Sequence, residues 1–322
     1  MQIIRGLHNI KKKHFGSFLT IGNFDGVHLG HKNLINKIIK KKKKKKKPII
    51  IMLFEPQPLE FLSPNIAPIR INKFCEKIKY LSKFKIDAIL CIKFNKKFST
   101  IKPKKFIKKI LVKKLKINFL FVGNDFKFGY KKKGNIKHLK KANKKKLFNL
   151  YINKPFKKNN KRISSTLIRK NIKKNKFKLV KSMLGRNYSI HRNIIHELNI
   201  VKKTRFPKAN ILLYKNKSLL NGVYITKIKG IKKKNIFSII NIEKKSTFKG
   251  NIKHIKAHIL NINIKTYKKK IEIIILKKIR NEIKFNSKKK LKKQIKKDIM
   301  IACSYFKINH LNKNNIKREK YE

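Results

Sequence analysis

Tryptophan is absent from this sequence, cysteine occurs three times, and acidic residues number only 13 in 322 positions. Cys75, Cys91 and Cys303 are far apart and form no C-x-x-C pair. That spacing argues against a disulfide framework and against a structural zinc site, and it fits a reducing cytoplasm. No apolar run approaches the ~20 residues that span a bilayer, and the opening MQIIRGLHNI lacks the charged-then-apolar layout of a signal peptide. The expectation is a soluble cytoplasmic protein with no membrane partner. A G-x-x-x-x-G-K-[ST] string is also missing, which disfavours a P-loop nucleotide site.

Lysine is what the chain has in excess: 91 Lys and Arg against 13 Asp and Glu give a formal net charge of +78. Such a charge first suggests nucleic acid. The lysines, however, are spread over nearly every expected loop and come with an excess of Ile, Asn and Phe, all residues with A/T-rich codons. They form no focused patch or RNA-binding motif, so the composition reads as mutational drift coating an ordinary enzyme, with no specific nucleic-acid partner. The lysine run at 40–47 reads as a self-repelling solvated connection. With 41% hydrophobic residues and 22 Phe there is material for a core in each of two domains.

From Phe18 to about Ile152, short β-branched runs (FLTIG, IIIMLF, AILCI, FLFVG) alternate with helical periods, including Leu34, Ile35, Ile38 and Ile39, and then Phe106, Ile107, Ile110 and Leu111. This is the α/β pattern of a parallel sheet flanked by helices. After about Leu184 closely spaced strand-like runs follow with no intervening helix, which predicts a small antiparallel β-barrel. Leu291, Ile295, Ile299, Ala302 and Phe306 then repeat at helical spacing, with Ser287 as N-cap.

The most informative string is TIGNFDGVHLGH at 20–31, a strand entering a glycine-rich turn and then a helix. Gly22, Gly26 and Gly30 let backbone amides approach a phosphate, and a helix N-terminus favours an anion. His28 and His31 follow at the turn. Group transfer at phosphorus needs in-line positioning and charge stabilisation more than covalent help, and paired imidazoles at a helix start suit that task. Alone, two histidines three apart also fit surface residues or a metal pair.

The whole string resembles the H-x-G-H signature of nucleotidyltransferases, and the flanking GNFDGV is similar to the bacterial bifunctional riboflavin kinase/FAD synthetase family. FEPQP at 54–58, VGNDFKFG at 122–129 and RISSTLIR at 162–169 follow in the family's order. The resemblance implies a Rossmann-like nucleotidyltransferase domain at 1–183, a riboflavin-kinase-like barrel with a C-terminal helix at 184–310, and a basic tail at 311–322. It implies that the phosphate of FMN attacks the α-phosphorus of ATP, giving FAD and pyrophosphate, with Mg²⁺ shielding the phosphates. His28, His31 and Arg169 take the catalytic roles. Gly22, Asn23, Phe24, Gly30, Ser164, Ser165 and Thr166 fall at the ATP, and Asp25, Pro56, Asp125, Phe126 and Phe128 at the flavin. The residue chemistry agrees: Ser164, Ser165 and Thr166 offer hydroxyls at a helix start, and Arg169 offers a forked donor one turn later. A nucleotidyltransferase with another phosphate acceptor, and a basic nucleic-acid-binding protein, are the competing readings.

The resemblance extends through LGRNYSI, FPKAN, GVY and the stretch from His258 to Ser287, implying ATP-dependent phosphorylation of riboflavin. Here the match is worn. Lys208 stands where a threonine would help hold Mg²⁺, beside the retained Asn210, a weak metal ligand. Arg192, Glu197, Val201 and Arg205 stand at positions usually glycine, and IGxRPT reads IEKKST at 242–247. Lys256 occupies the place of the family's catalytic glutamate, two residues before His258; lysine side chains are protonated near neutrality and do not accept a proton. Glu272 is the expected nearby carboxylate, and Asn210, Tyr224, Lys256 and His258 are expected relics of a weakened kinase.

Overall fold

The computed structural model describes residues 1–42, 45–193, 208–212, 218–231, 236–247, 250–260 and 270–307. Glu197, Val201, Arg205 and the tail at 311–322 lie outside the described residues, as do Lys43 and Lys44 of the lysine run. Two compact units result: Met1–Ile168 with Met183–Gly185, and Arg169–Ser182 with Arg186–Glu322.

The first unit is an α/β sandwich. Its strands are β1 (Gln2–Arg5), β2 (Phe18–Ile21), β3 (Ile49–Glu55), β4 (Ala88–Lys93), β5 (Phe119–Gly123) and β6 (Asn149–Asn153), in spatial order β1-β4-β3-β2-β5-β6. All five pairings are parallel. A parallel sheet is covered on both faces, so its strands read as continuous apolar runs and adjacent residues point into opposite cores. Phe18, Ile49, Ile51 and Leu53 enter one core, while Leu19, Ile21, Ile50 and Met52 enter the other.

Helices α1 (Leu29–Lys42), α2 (Pro58–Leu62), α3 (Phe74–Leu81), α4 (Lys96–Ser99), α5 (Pro103–Lys105) and α6 (Ile136–Lys144) connect these strands. The four apolar residues of the helical period at 106–111 are buried, as expected, although α5 continues into a π-helix over Phe106–Lys114. Ile35 and Ile38 of α1 are buried, with Leu34 and Ile39 packed beside them. The edge strand β1 was not legible, because only Ile4 of its four residues is buried and no alternation shows. The short strands β7 (Lys157–Lys158) and β8 (Lys161–Arg162) form a small hairpin, and α7 (Ser165–Lys173) follows.

In the second unit, after α8 (Phe177–Leu184), come β9 (Ser189–Asn193), β10 (Lys208–Leu212), β11 (Gly222–Lys229), β12 (Ile236–Thr247), β13 (Gly250–Ile259) and β14 (Lys270–Arg280). They make one antiparallel sheet in the order β10-β13-β12-β11-β14-β9. The closing helix α9 (Lys288–Phe306) starts where the sequence placed its cap: the Lys290 amide donates to Ser287 Oγ at 3.2 Å. Ile295, Ile299, Ala302 and Phe306 pack against the sheet residues Val223, Ile225 and Ile239.

Candidate active site

In the first unit the chain leaves β2 to one side for β3 and to the other for β5, so the strand order reverses at β2. Ligands of open α/β sheets bind outside the carboxyl ends of the strands at such a switch point. The turn at 22–28, FEPQP and GNDF follow the carboxyl ends of β2, β3 and β5 respectively, so the fold gathers three strings that are remote in sequence.

The turn is tightly wound. Phe24, Gly26 and Val27 have φ of 48°, 84° and 39°, a region that costs about 1 kcal/mol or more for a residue with a side chain. At Gly26 a Cβ would approach Ile71 Cδ1 to 3.1 Å, and at Gly30 it would come 3.1 Å from the His28 ring. The missing side chain of Gly30 therefore makes room for the imidazole. His28 is buried at 6% exposure, and its ring stacks on His31 with centroids 3.7 Å apart. The His28 amide donates to His31 Nδ1 at 3.3 Å, which leaves the proton of a neutral His31 ring on Nε2. Phe24 is buried with its ring 4.8 Å from that of His31.

Asp25 lies under the turn at 2% exposure, its carboxylate accepting from the Ile71 amide at 3.1 Å and the Asn72 amide at 3.2 Å. Ser165 Oγ donates to the Asp25 carbonyl at 2.8 Å, tying the start of α7 to the turn, while Ser164 Oγ caps that helix by accepting from the Leu167 amide. Asn23 and Thr166 are exposed, and Gly22 and Pro56 are half-buried. Arg169 is half-buried one turn along α7, where the second unit begins.

Asp125 is ion-paired with Arg162. Arg162, quoted in its string but given no role, thereby joins GNDF to RISST. Phe126 and Phe128 do share a face, stacked with centroids 5.6 Å apart, but Phe128 is buried against Phe106. A second charge cluster escaped the sequence reading. Arg70 binds both Glu55 and Glu60, and Lys77 of α3 is fully buried. Neither basic residue stood out because lysine and arginine are everywhere in this sequence.

A family model described as FAD synthetase matches residues 10–167, and one described as riboflavin kinase matches residues 184–306. A bifunctional riboflavin kinase/FMN adenylyltransferase of Buchnera aphidicola (subspecies Acyrthosiphon pisum) is 49% identical over 311 residues, covering 96% of this chain and 99% of its own. The chain belongs to the bifunctional riboflavin kinase/FMN adenylyltransferase family. The Escherichia coli K12 member is 36% identical over 276 residues, covering 85% of this chain and 88% of its own. A crystal structure described as a macrolide-efflux protein from Streptococcus pneumoniae superposes at a TM-score of 0.78, covering 94% of this chain and 99% of its own; at 22% identity it shows the shared fold alone.

Within the kinase-family half, Lys256 of β13 lies opposite Asn241 of β12 and Asn210 of β10, and its Nζ is 2.7 Å from Glu243 Oε1. The carboxylate beside Lys256 is thus Glu243. Glu272, expected there, faces β9 instead, where Ser189 Oγ donates to it at 2.7 Å and His191 Nε2 lies 3.6 Å away. The correction has a physical cause: Glu243 sits opposite His254, so it is the diagonal neighbour of Lys256 on one face, a relation fixed by register. Tyr224 is buried, its hydroxyl donating to the Asn221 carbonyl at 2.8 Å and to Asn175 Oδ1 at 3.2 Å. His258 is half-buried opposite Ile239 and Lys208; the side chains of Lys208 and Asn210 lie outside the described ones.

Proposed function

We propose that the first unit joins ATP and FMN: a phosphate oxygen of FMN bonds to the α-phosphorus of ATP, the bond to the bridging oxygen breaks, and FAD and pyrophosphate result. The observation that carries this reading is the stacked His28 and His31 pair at the start of α1, at the switch point of a parallel sheet. His31 Nε2–H donates to a non-bridging oxygen as charge grows on it, and His28 packs against His31 and holds its ring. Ser164, Ser165 and Thr166 at the start of α7, with Gly22, Asn23 and Gly30, hold the triphosphate, and Arg169 takes its far end. Phe24 and Asp25, both buried, shape the turn from below. Pro56, Asp125, Phe126 and Phe128 form the flavin side, with Arg162 fixing Asp125.

Among the described residues no group of three or more His, Cys, Asp or Glu could hold a metal ion. Mg²⁺, which keeps phosphate oxygens and water among its ligands, would enter as the ATP complex and would supply charge shielding at the phosphates. The functional division is taken at 183/184. The site of action is the cytoplasm, in keeping with the free thiols of Cys75, Cys91 and Cys303; no helix among the described residues is long and apolar enough to cross a membrane. Incubation with MgATP and FMN, followed by chromatography, is expected to yield FAD; no FAD from FMN would refute the reading.

For the second unit, we infer that the riboflavin phosphorylation implied by the family runs weakly. Lys256 stands where the family's catalytic glutamate would be, and the neighbouring carboxylate of Glu243 is engaged with it in an ion pair, so the position offers no carboxylate of its own to take the riboflavin proton. Riboflavin is expected to give FMN far more slowly than FMN gives FAD, and Lys256→Glu is expected to raise that rate. Equal rates in the unmodified chain would defeat the inference.

A further inference from the structure

The one acidic residue of α9, Asp298, does not face solvent. It is 4% exposed, and Arg280 holds it by Nε and Nη2, which donate to its two oxygens at 2.8–3.1 Å, while Gln294 Nε2 donates to it at 3.0 Å. The same guanidinium lies 5.9 Å from the centre of the Phe285 ring. The end of β14, the segment after it and α9 are thereby fastened around a single buried carboxylate. Beside this fastening, residues 283–286 and α9 enclose a cavity of about 350 Å³.

Ile283 and Phe285 give the cavity an apolar wall, and Lys284, Lys290, Lys293 and Lys297 give it four ammonium groups; among the described residues no carboxylate lines it. Lys290, Lys293 and Lys297 recur at helical spacing, so they form one stripe along α9, with Gln294 in the same stripe. Like charges stacked in this way oppose the helix that carries them. Asp298, the acid of α9 that could relieve them, is turned to Arg280 instead. Charge of one sign lining a concave site focuses its field into the cavity, where an anion meets all four groups at once.

We propose that this cavity binds a small oligophosphate, a ligand with two or more linked phosphate groups, through Lys284, Lys290, Lys293 and Lys297. Its volume sits at the lower end of small-molecule sites. Four ammonium groups exceed what a single phosphate brings, at most about −2 near neutrality, so linked phosphates match the charge better. Lysine meets phosphate as a point charge with three donors, which selects for charge density more than for the shape of whatever the phosphates carry. The site is independent of the FAD-forming reading, because every residue in it belongs to the second unit.

Lysine acetylation read residue by residue by mass spectrometry tests this on the full chain, with inorganic tripolyphosphate as the probe. Salt of about 150 mM screens the general attraction of the surface beyond roughly 8 Å. Lys288, Lys289, Lys292 and Lys296 are exposed on the same helix but do not line the cavity, so they serve as the internal reference. Tripolyphosphate at several times its Kd is expected to slow acetylation of the four cavity lysines by roughly fivefold, as mass action requires of an occupied site, and to leave the reference lysines within about twofold. In calorimetry, replacing Lys290, Lys293 and Lys297 together by Gln is expected to remove this binding, while the same change at Lys288, Lys289 and Lys296 keeps it. Protection by ATP equal to that by tripolyphosphate would identify phosphate as the recognised group. Uniform slowing of all eight lysines, protection by ATP or by a random RNA oligomer without protection by tripolyphosphate, or equal losses in the two triple variants would each overturn the proposal. The footprint needs no variant, so it decides the matter should either triple variant fail to fold.

Discussion

The two ring nitrogens of His31 differ: Nδ1 accepts from the His28 amide, so a neutral ring carries its proton on Nε2. Its replacement by alanine is expected to lower kcat for FAD formation on the order of a hundredfold, the usual loss for one preorganised donor; chromatographic rates with FMN and MgATP measure it. Wild-type turnover would remove His31 from the mechanism. Gly30→Ala places a methyl 3.1 Å from the His28 ring. It is expected to cost roughly tenfold in kcat with near-native Tm, because ring displacement reaches the chemistry before it reaches the core. Both imidazoles were legible in the sequence. The burial of Asp25 was not, since its amide partners lie more than 40 positions away.

At the scale of elements, Arg70 clips the end of β3 to α2 by binding Glu55 and Glu60. Burial pushes the Glu60 carboxyl up, but hydrogen bonds from Arg70 and the Gln57 amide outweigh it and leave the pKa below the ordinary value. A depressed carboxylate contributes stability above its unfolded pKa and loses it as pH falls through the folded one. Arg70→Ala is therefore expected to cost about 1–2 kcal/mol near neutrality, discounted for partial exposure. The Tm gap to wild type should close below about pH 4. A gap that persists in acid would show that Arg70 acts by packing. The strands and the amphipathic helices of this half follow from local pattern, whereas the clip depends on which loops the sheet order brings together.

Over the whole molecule, the charge of +78 has few counter-charges, so attraction to polyanions is general. Binding to random duplex is expected to be loose, indifferent to sequence, and weakened by ~10³-fold or more between 50 and 200 mM salt, as phosphate contacts alone require. Tight, sequence-selective binding that survives salt, measured by anisotropy titration, would contradict the reading of the lysines as drift.

The sequence by itself determined the alternation that makes a parallel sheet, the antiparallel half, the cap at Ser287, and the glycine turn with its two imidazoles. These are local matters of period, backbone freedom and short motifs. Only the tertiary structure decided that Glu243 meets Lys256, that Arg162 meets Asp125, and that Lys77 of α3, alone among the described lysines and arginines, lies buried. Charge pairing and burial depend on neighbours set by sheet order and register, and in a chain coated with lysine no composition or spacing marks out the few cations that are held inside.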